Sequence, residues 1–230
     1  MNTPIEYWAD MPVLVNNCVG EARAWFLLAH GAGASMDSDF MEAMAQKLAG
    51  DIFTVVRFEF PYMQQRRTTG KKSPPNRMPR LLEHWREVLE IVAARTDLPL
   101  VVGGKSMGGR SASLVMADEQ QQFRQWRQRL VAGVCFGSPF HPPAKPDNTR
   151  VEHLKTLRKP LCIFHGTRDP FGKPEEVSGY SLSKAVSINW LESGDHDFKP
   201  LKRSGLTQGQ LIGCAAAGAG EFVSRCLGGD

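Results

Sequence analysis

Six short apolar runs, rich in β-branched and aromatic residues and each bounded by turn residues, punctuate the chain at positions 24–29, 52–60, 98–103, 130–136, 161–165 and 185–191. Their apolarity is continuous rather than alternating, which marks strands covered on both faces of a mostly parallel sheet. The segments between them carry apolar residues three or four apart. Phe40, Met41, Met44 and Leu48 share one helical face, with Asp37 or Ser38 as N-cap, and Leu81, Leu82, Trp85, Val88, Leu89 and Val92 share another, entered through Pro79. Further helices are expected at 107–117, 151–157, 175–180 and 208–226. Strands alternating with helices predict an α/β fold: a doubly wound sheet with helices on both faces, residues 1–230 forming one domain. Two stretches rich in Pro and polar residues, 61–79 and 139–149, read as loops.

Composition removes several classes. With 42% hydrophobic and 23% charged residues the chain is neither disordered, coiled-coil nor collagen-like. The first ten residues include Glu6 and Asp10 and lack a basic start with an apolar core, so no signal peptide is expected. No apolar run approaches the roughly 18 residues of a spanning helix, so no membrane partner is expected. Five cysteines, odd in number and without a Cys-x-x-Cys pair, suit a reducing compartment and offer no zinc knuckle. A cytoplasmic protein without metal or cofactor is the expectation.

The run Val101-Val102-Gly103-Gly104-Lys105-Ser106-Met107-Gly108-Gly109 carries the strongest chemical signal. An apolar strand passes into Gly-x-Ser-x-Gly and then directly into a helical segment, the setting of a nucleophile elbow. A serine on so sharp a turn leaves no room for side chains two residues on either side. A serine hydroxyl needs a base. Of six histidines, His196 lies in a loop after the last expected strand and ahead of the final helix, where a base following the order Ser, acid, His belongs. The acid between them is expected at Asp169, just past the strand 161–165 and stiffened by Pro170, in preference to Asp195, Asp197, Glu175, Glu176 or Asp147. An oxyanion hole is expected from the amide of Met107, directly after the serine, and from Ala32, with Gly33 close behind, in His30-Gly31-Ala32-Gly33-Ala34. No phosphate-loop pattern or dinucleotide fingerprint is present.

Together these residues resemble the α/β-hydrolase superfamily over roughly residues 20–228. The strings Phe58-Glu59-Phe60-Pro61-Tyr62-Met63 and Gly103-Gly104-Lys105-Ser106-Met107-Gly108-Gly109-Arg110 are similar to those of a narrower group of small bacterial hydrolases like dienelactone hydrolase. Its eukaryotic relatives include a testis-expressed protein and a subunit of a nuclear histone-acetyltransferase complex. Dienelactone hydrolase itself has a Cys nucleophile where this chain has Ser106, so the resemblance implies fold and triad rather than that substrate.

Two features narrow the expectation. Only about two dozen residues separate Gly137 from the strand at Leu161, room for a loop and a short helix but not for a lid domain. A lidless site buries little acyl chain and favours small, short-acyl substrates. The segment 61–80 holds Arg66, Arg67, Lys71, Lys72, Arg77 and Arg80 with no acid, whereas the remaining 22 basic residues meet 24 acidic ones; the net charge of +4 is therefore local. This segment leaves a strand at the sheet edge where ligands of open α/β sheets bind, and would favour an anionic small-molecule ester or an acidic partner. A solvated surface loop is the plainer reading of the same charges. With one aromatic residue and no recognisable module, it does not indicate nucleic acid. The leading expectation is a serine hydrolase of esters or thioesters. A non-catalytic interaction module on the same fold, and an amidase or peptidase using the same triad, are the alternatives.

Overall fold

The computed structural model describes residues 3–50, 52–121 and 124–228. Met1, Asn2 and the two C-terminal residues lie outside the described residues, so the N-terminal and domain-boundary expectations are not addressed there. Among the described residues eight strands run in chain order: β1 (Ile5–Trp8), β2 (Met11–Asn16), β3 (Ala24–Ala29), β4 (Phe53–Phe58), β5 (Leu100–Lys105), β6 (Leu130–Phe136), β7 (Leu161–Gly166) and β8 (Val186–Leu191). The helices are α1 (Asp39–Ala49), α2 (Pro61–Thr69), α3 (Met78–Ala93), α4 (Met107–Ala117), α5 (Gln125–Arg129), α6 (Glu152–Lys155), α7 (Pro174–Val177) and α8 (Gln208–Cys226).

The strands form one sheet in the order β1-β2-β4-β3-β5-β6-β7-β8. Every pairing from β4 to β8 is parallel, while β1 with β2 and β2 with β4 are antiparallel. Side chains of successive strand residues point to opposite faces, and each face has its own core. In β3, Leu27 and Ala29 join the core beneath α3 and α4, with Trp85, Val88, Ala112 and Val115. Phe26 and Leu28 join the opposite core beneath α1 and α8, with Met41, Met44, Leu211 and Ala215. Burying both faces explains why the inner strands read as unbroken apolar runs. Edge strand β8 instead alternates half-buried and exposed residues.

The expected strands and helices appear within a few residues of their places, with three differences, the smallest being the five-residue helix α5 ahead of β6, which was not expected. First, the sequence pattern missed the β1–β2 hairpin. Its two-residue turn is Ala9-Asp10, with φ of 48° and 65°, between paired Trp8 and Met11. Both residues occupy the left-handed region that such a turn usually assigns to Asn-Gly, so the customary signal is missing. Second, residues 61–79 are not all loop: α2 occupies Pro61–Thr69. Pro61 opens the helix and Gly70, at φ 70°, closes it, but it buries only Tyr62 and Met63, too few apolar residues to show a helical period. Between Gly137 and Leu161 there is a loop and the single turn of α6, with no cap domain. Among the described residues no helix is long and apolar enough to cross a membrane.

Candidate active site

Ser106 sits between β5 and α4 with φ 53° and ψ −114°, backbone values that cost a non-glycine residue about 1–3 kcal/mol. The neighbouring glycines are dictated by contact. A Cβ on Gly104 would stand 2.4 Å from the carbonyl oxygen of Ala29, and one on Gly108 would stand 2.5 Å from that oxygen and 2.6 Å from that of His30. The turn is therefore clasped by the end of β3, and the Ser106 amide is held by the Phe136 carbonyl at 2.9 Å.

The expected base and acid meet this serine. His196 Nε2 lies 2.9 Å from Ser106 Oγ, and His196 Nδ1 lies 2.8 Å from Asp169 Oδ2. An ionised carboxylate only accepts, so Nδ1–H donates to Asp169 and Nε2 is left to accept from the serine hydroxyl. Asp169 is fully buried and His196 about one-fifth exposed. Burial alone would raise the Asp169 carboxyl. The hydrogen bond from His196, the nearby His165 and His196 rings and the Phe171 amide outweigh it and hold the group below the usual carboxylate range. The loops after β7 and β8 are stitched together: Arg168 donates through its amide to Gly194 and through its guanidinium to the Ser193 carbonyl, and Ser193 donates its amide to Thr167 Oγ1. Phe171 packs its ring 4.4 Å from that of His196.

Gly31 passes close over the serine: a Cβ there would lie 3.7 Å from Ser106 Cβ. His30 fixes this loop from below. Its Nε2 accepts from the Phe60 amide at 3.1 Å, which leaves Nδ1–H to donate to the Gly31 carbonyl at 2.7 Å. Burial lowers the His30 pKa, consistent with a neutral ring in that tautomer. Tyr62 Oη donates to the Ala32 carbonyl at 2.9 Å. The Met107 amide opens α4, where first-turn N–H groups have no partner within the helix.

Three participants were not evident as such in the sequence. Lys105 Nζ donates to the His196 carbonyl at 2.6 Å, lies 3.4 Å from Asp197 Oδ1 and stands over the Phe40 ring. Glu59 is held by Arg67 through two hydrogen bonds of 2.6 and 2.9 Å. His165, buried beneath the acid, donates Nε2–H to the Gly172 carbonyl at 2.9 Å and lies 3.5 Å from Asp169 Oδ2. Gly137, at φ 65°, makes room for the base: a Cβ there would stand 3.1 Å from the His196 oxygen and 3.3 Å from Lys105 Nζ. The sequence placed Gly137 only as a strand end, and the contacts of all three residues come from loops distant in the chain.

A cleft of about 390 Å³ opens beside the His30–Ala34 loop, lined by Gly33, Ala34, Glu59, Met63, Arg66 and Arg67. A larger cleft of about 750 Å³ lies at the far end of α4, lined by Met116, Asp118, Arg127 and Leu157, and contains none of the three hydrogen-bonded residues.

A family model described as an alpha/beta hydrolase domain matches residues 22–224. The chain belongs to this alpha/beta hydrolase family. Among solved structures, dienelactone hydrolase from Anabaena variabilis is similar at a TM-score of 0.69 and 16% identity, over 97% of this chain and 96% of that one. XC6422 from Xanthomonas campestris, described as an a/b serine hydrolase without lid, is similar at 0.66 and 18% identity, over 92% and 89%. Thermogutta terrifontis esterase 2, phosphoramylated by tabun, is similar at 0.70 and 14% identity, over 97% and 94%. At these identities the likeness is one of fold. No protein with a curated description matches the chain.

Proposed function

We propose that this member of the alpha/beta hydrolase family is a serine hydrolase of small carboxylic esters or thioesters with short acyl groups. The observation that carries the reading is the unbroken chain of hydrogen bonds from Asp169 through His196 to Ser106, ending on a strained serine at a strand-to-helix turn. Nothing in folding requires a strained serine there.

In the proposed reaction Ser106 Oγ attacks the ester carbonyl while His196 Nε2 takes its proton. Asp169 keeps Nδ1 protonated and stabilises the imidazolium that forms. The amides of Met107 and Ala32 receive the negative charge on the carbonyl oxygen. Collapse breaks the carbonyl–oxygen or carbonyl–sulfur bond, and His196 returns the proton to the departing alkoxide or thiolate. Water, deprotonated by His196, then attacks the acyl-enzyme, and release of the acid restores Ser106. Without a cap domain the acyl group meets little enclosing surface, which supports short chains. The free cysteines support a reducing compartment such as the cytoplasm.

The test is labelling by a fluorophosphonate, a choice supported by the tabun adduct of an esterase of similar fold. The expected result is one adduct on Ser106 that Ser106→Ala loses; an unlabelled native protein beside a labelled control esterase overturns the reading. A series of p-nitrophenyl esters beside matched amides is expected to show fastest turnover for two- to four-carbon acyl groups, in line with the roughly open site.

A further inference from the structure

Three residues past the start of α4 the chain places a second arginine-bearing feature that the triad does not use. Arg110 lies one helical turn beyond Ser106, its amide bonded to the Ser106 carbonyl at 2.9 Å, so the two positions are separated by about 6 Å along the helix axis. Its side chain lines a cleft of about 680 Å³ together with Leu114, Asn148, Thr149, Arg150, Glu152 and His153.

The electrostatics of this cleft are unbalanced. Arg110 Nε is buried and has no hydrogen-bond partner. Among the described residues neither Arg110 nor Arg150 forms an ion pair, in contrast to Arg57, Arg67, Arg80, Arg86, Arg124 and Arg129. The one acid on the rim, Glu152, is exposed and already bound to Lys155 at 2.8 Å. Both guanidinium-bearing side chains line the one cleft, and burial together with repulsion from Arg150 lowers the Arg110 pKa. His153 is tied through Nε2 to Ser113 Oγ at 2.8 Å, leaving Nδ1 without a protein partner. Burial brings its pKa down to about 4, so it adds no third positive charge at neutral pH. The Arg150 backbone is pinned by its amide to the Phe140 carbonyl at 2.7 Å.

One of these two guanidiniums carries a buried N–H that no protein atom accepts, and neither has a carboxylate partner among the described residues, so an incoming anion would find both free to bind it. Their planar forks match tetrahedral oxyanions in a way that lysines do not. We propose that Arg110 and Arg150 form a binding site for the phosphate group of a small molecule, next to the candidate active site but distinct from the Ser106–His196–Asp169 set. The unused Asn148 and Thr149 side chains supply further polar contacts on the same rim.

The test is thermal unfolding of the intact protein in inorganic phosphate against chloride of equal ionic strength. Phosphate at about 20 mM is expected to raise Tm by roughly 2–4 °C over chloride. Arg150→Gln and Arg110→Gln should each remove at least half of that rise, while Arg203→Gln, which deletes the same charge from an exposed position, should keep it. Should Arg110→Gln, at a half-buried position, unfold, Arg150→Gln decides by itself. A rise that chloride matches, or that both cleft variants retain in full, overturns the site. Because the readout is binding, it stands or falls independently of hydrolysis. Turnover of a neutral ester in phosphate then separates the sources: a raised KM at constant kcat marks a phosphate carried by the substrate, and an unmoved KM marks a free ligand.

Discussion

The Lys105 ammonium holds the main-chain carbonyl of His196 at 2.6 Å, so the residue before the candidate nucleophile grips the backbone of the candidate base. Burial lowers the lysine pKa against the opposing pull of Asp197, Asp169 and Asp195. The contact joins the end of β5 to the loop after β8, and Lys105 acts as a positioning residue. Lys105→Met keeps most of the buried stem but leaves that carbonyl without its donor. A shift of about 1 Å in the base is worth up to ~100-fold. The expectation is a kcat lowered about 10- to 100-fold with KM within about twofold, measured on a p-nitrophenyl ester. A change confined to KM would assign Lys105 to substrate binding instead.

Gly137 is needed for its space and its backbone together. Gly137→Ala forces a side chain into a left-handed conformation, at about 1–2 kcal/mol, and sets a methyl 3.1 Å from the His196 oxygen and 3.3 Å from Lys105 Nζ. Activity should fall by more than the loss of stability explains: kcat down at least ~10-fold at a temperature where circular dichroism shows the variant still folded.

The basic segment separates into structural and free charges. Arg67 neutralises the fully buried Glu59 and also reaches Asp37 at 2.9 Å. Arg67→Gln strands a buried carboxylate and is expected to cost about 3–5 kcal/mol in urea unfolding.

Arg66 forms no ion pair among the described residues and lines the cleft beside Gly33 and Ala34. Arg66→Gln should leave stability within about 0.5 kcal/mol and raise KM for an anionic ester, such as a succinate monoester, more than for a neutral one. Added salt should shrink that difference. Equal KM changes for both esters would mean that this charge only solvates the surface.

Acid should destabilise the fold before the carboxylates titrate. Burial brings His165 and His153 down to about 4 from 6.5. Between these values the unfolded chain binds protons that the folded chain refuses, so stability is complete above about pH 6.5 and declines as pH falls toward about 4. Each group contributes at most about 1.4 kcal/mol per pH unit in this window. The depressed Asp169 carboxyl loses its contribution only at lower pH. Urea unfolding at several pH values checks the slope, and His165→Gln should reduce it by about one proton.

Much of this molecule is written in local pattern. The inner strands announce themselves because both faces are buried, and Gly-x-Ser-x-Gly does so because Ala29 and His30 leave no room for a Cβ at Gly104 or Gly108. Ser106, Asp169 and His196, read from their order along the chain, are the three residues whose side chains meet. What could not be read depends on partners far away in sequence. Lys105 finds its acceptor 91 residues later, and Arg67 is neutralised by Glu59 and Asp37, so counting charges within residues 61–80 overstated the free ones. Helix α2 escaped notice because it buries two residues, and the β1–β2 hairpin because alanine and aspartate fill a turn usually signalled by Asn-Gly.

The close packing of Gly104 and Gly108 against the end of β3 also limits how the site can diversify. The serine turn and the loop above it behave as one mechanical part, since neither can shift by even a bond length without backbone meeting backbone. New substrate preferences must then arise at the rim, through side chains such as Arg66 and Arg150 that can be exchanged without disturbing that part. The turn at Ser106 is fixed by backbone contact, and the rim side chains are the portion open to exchange.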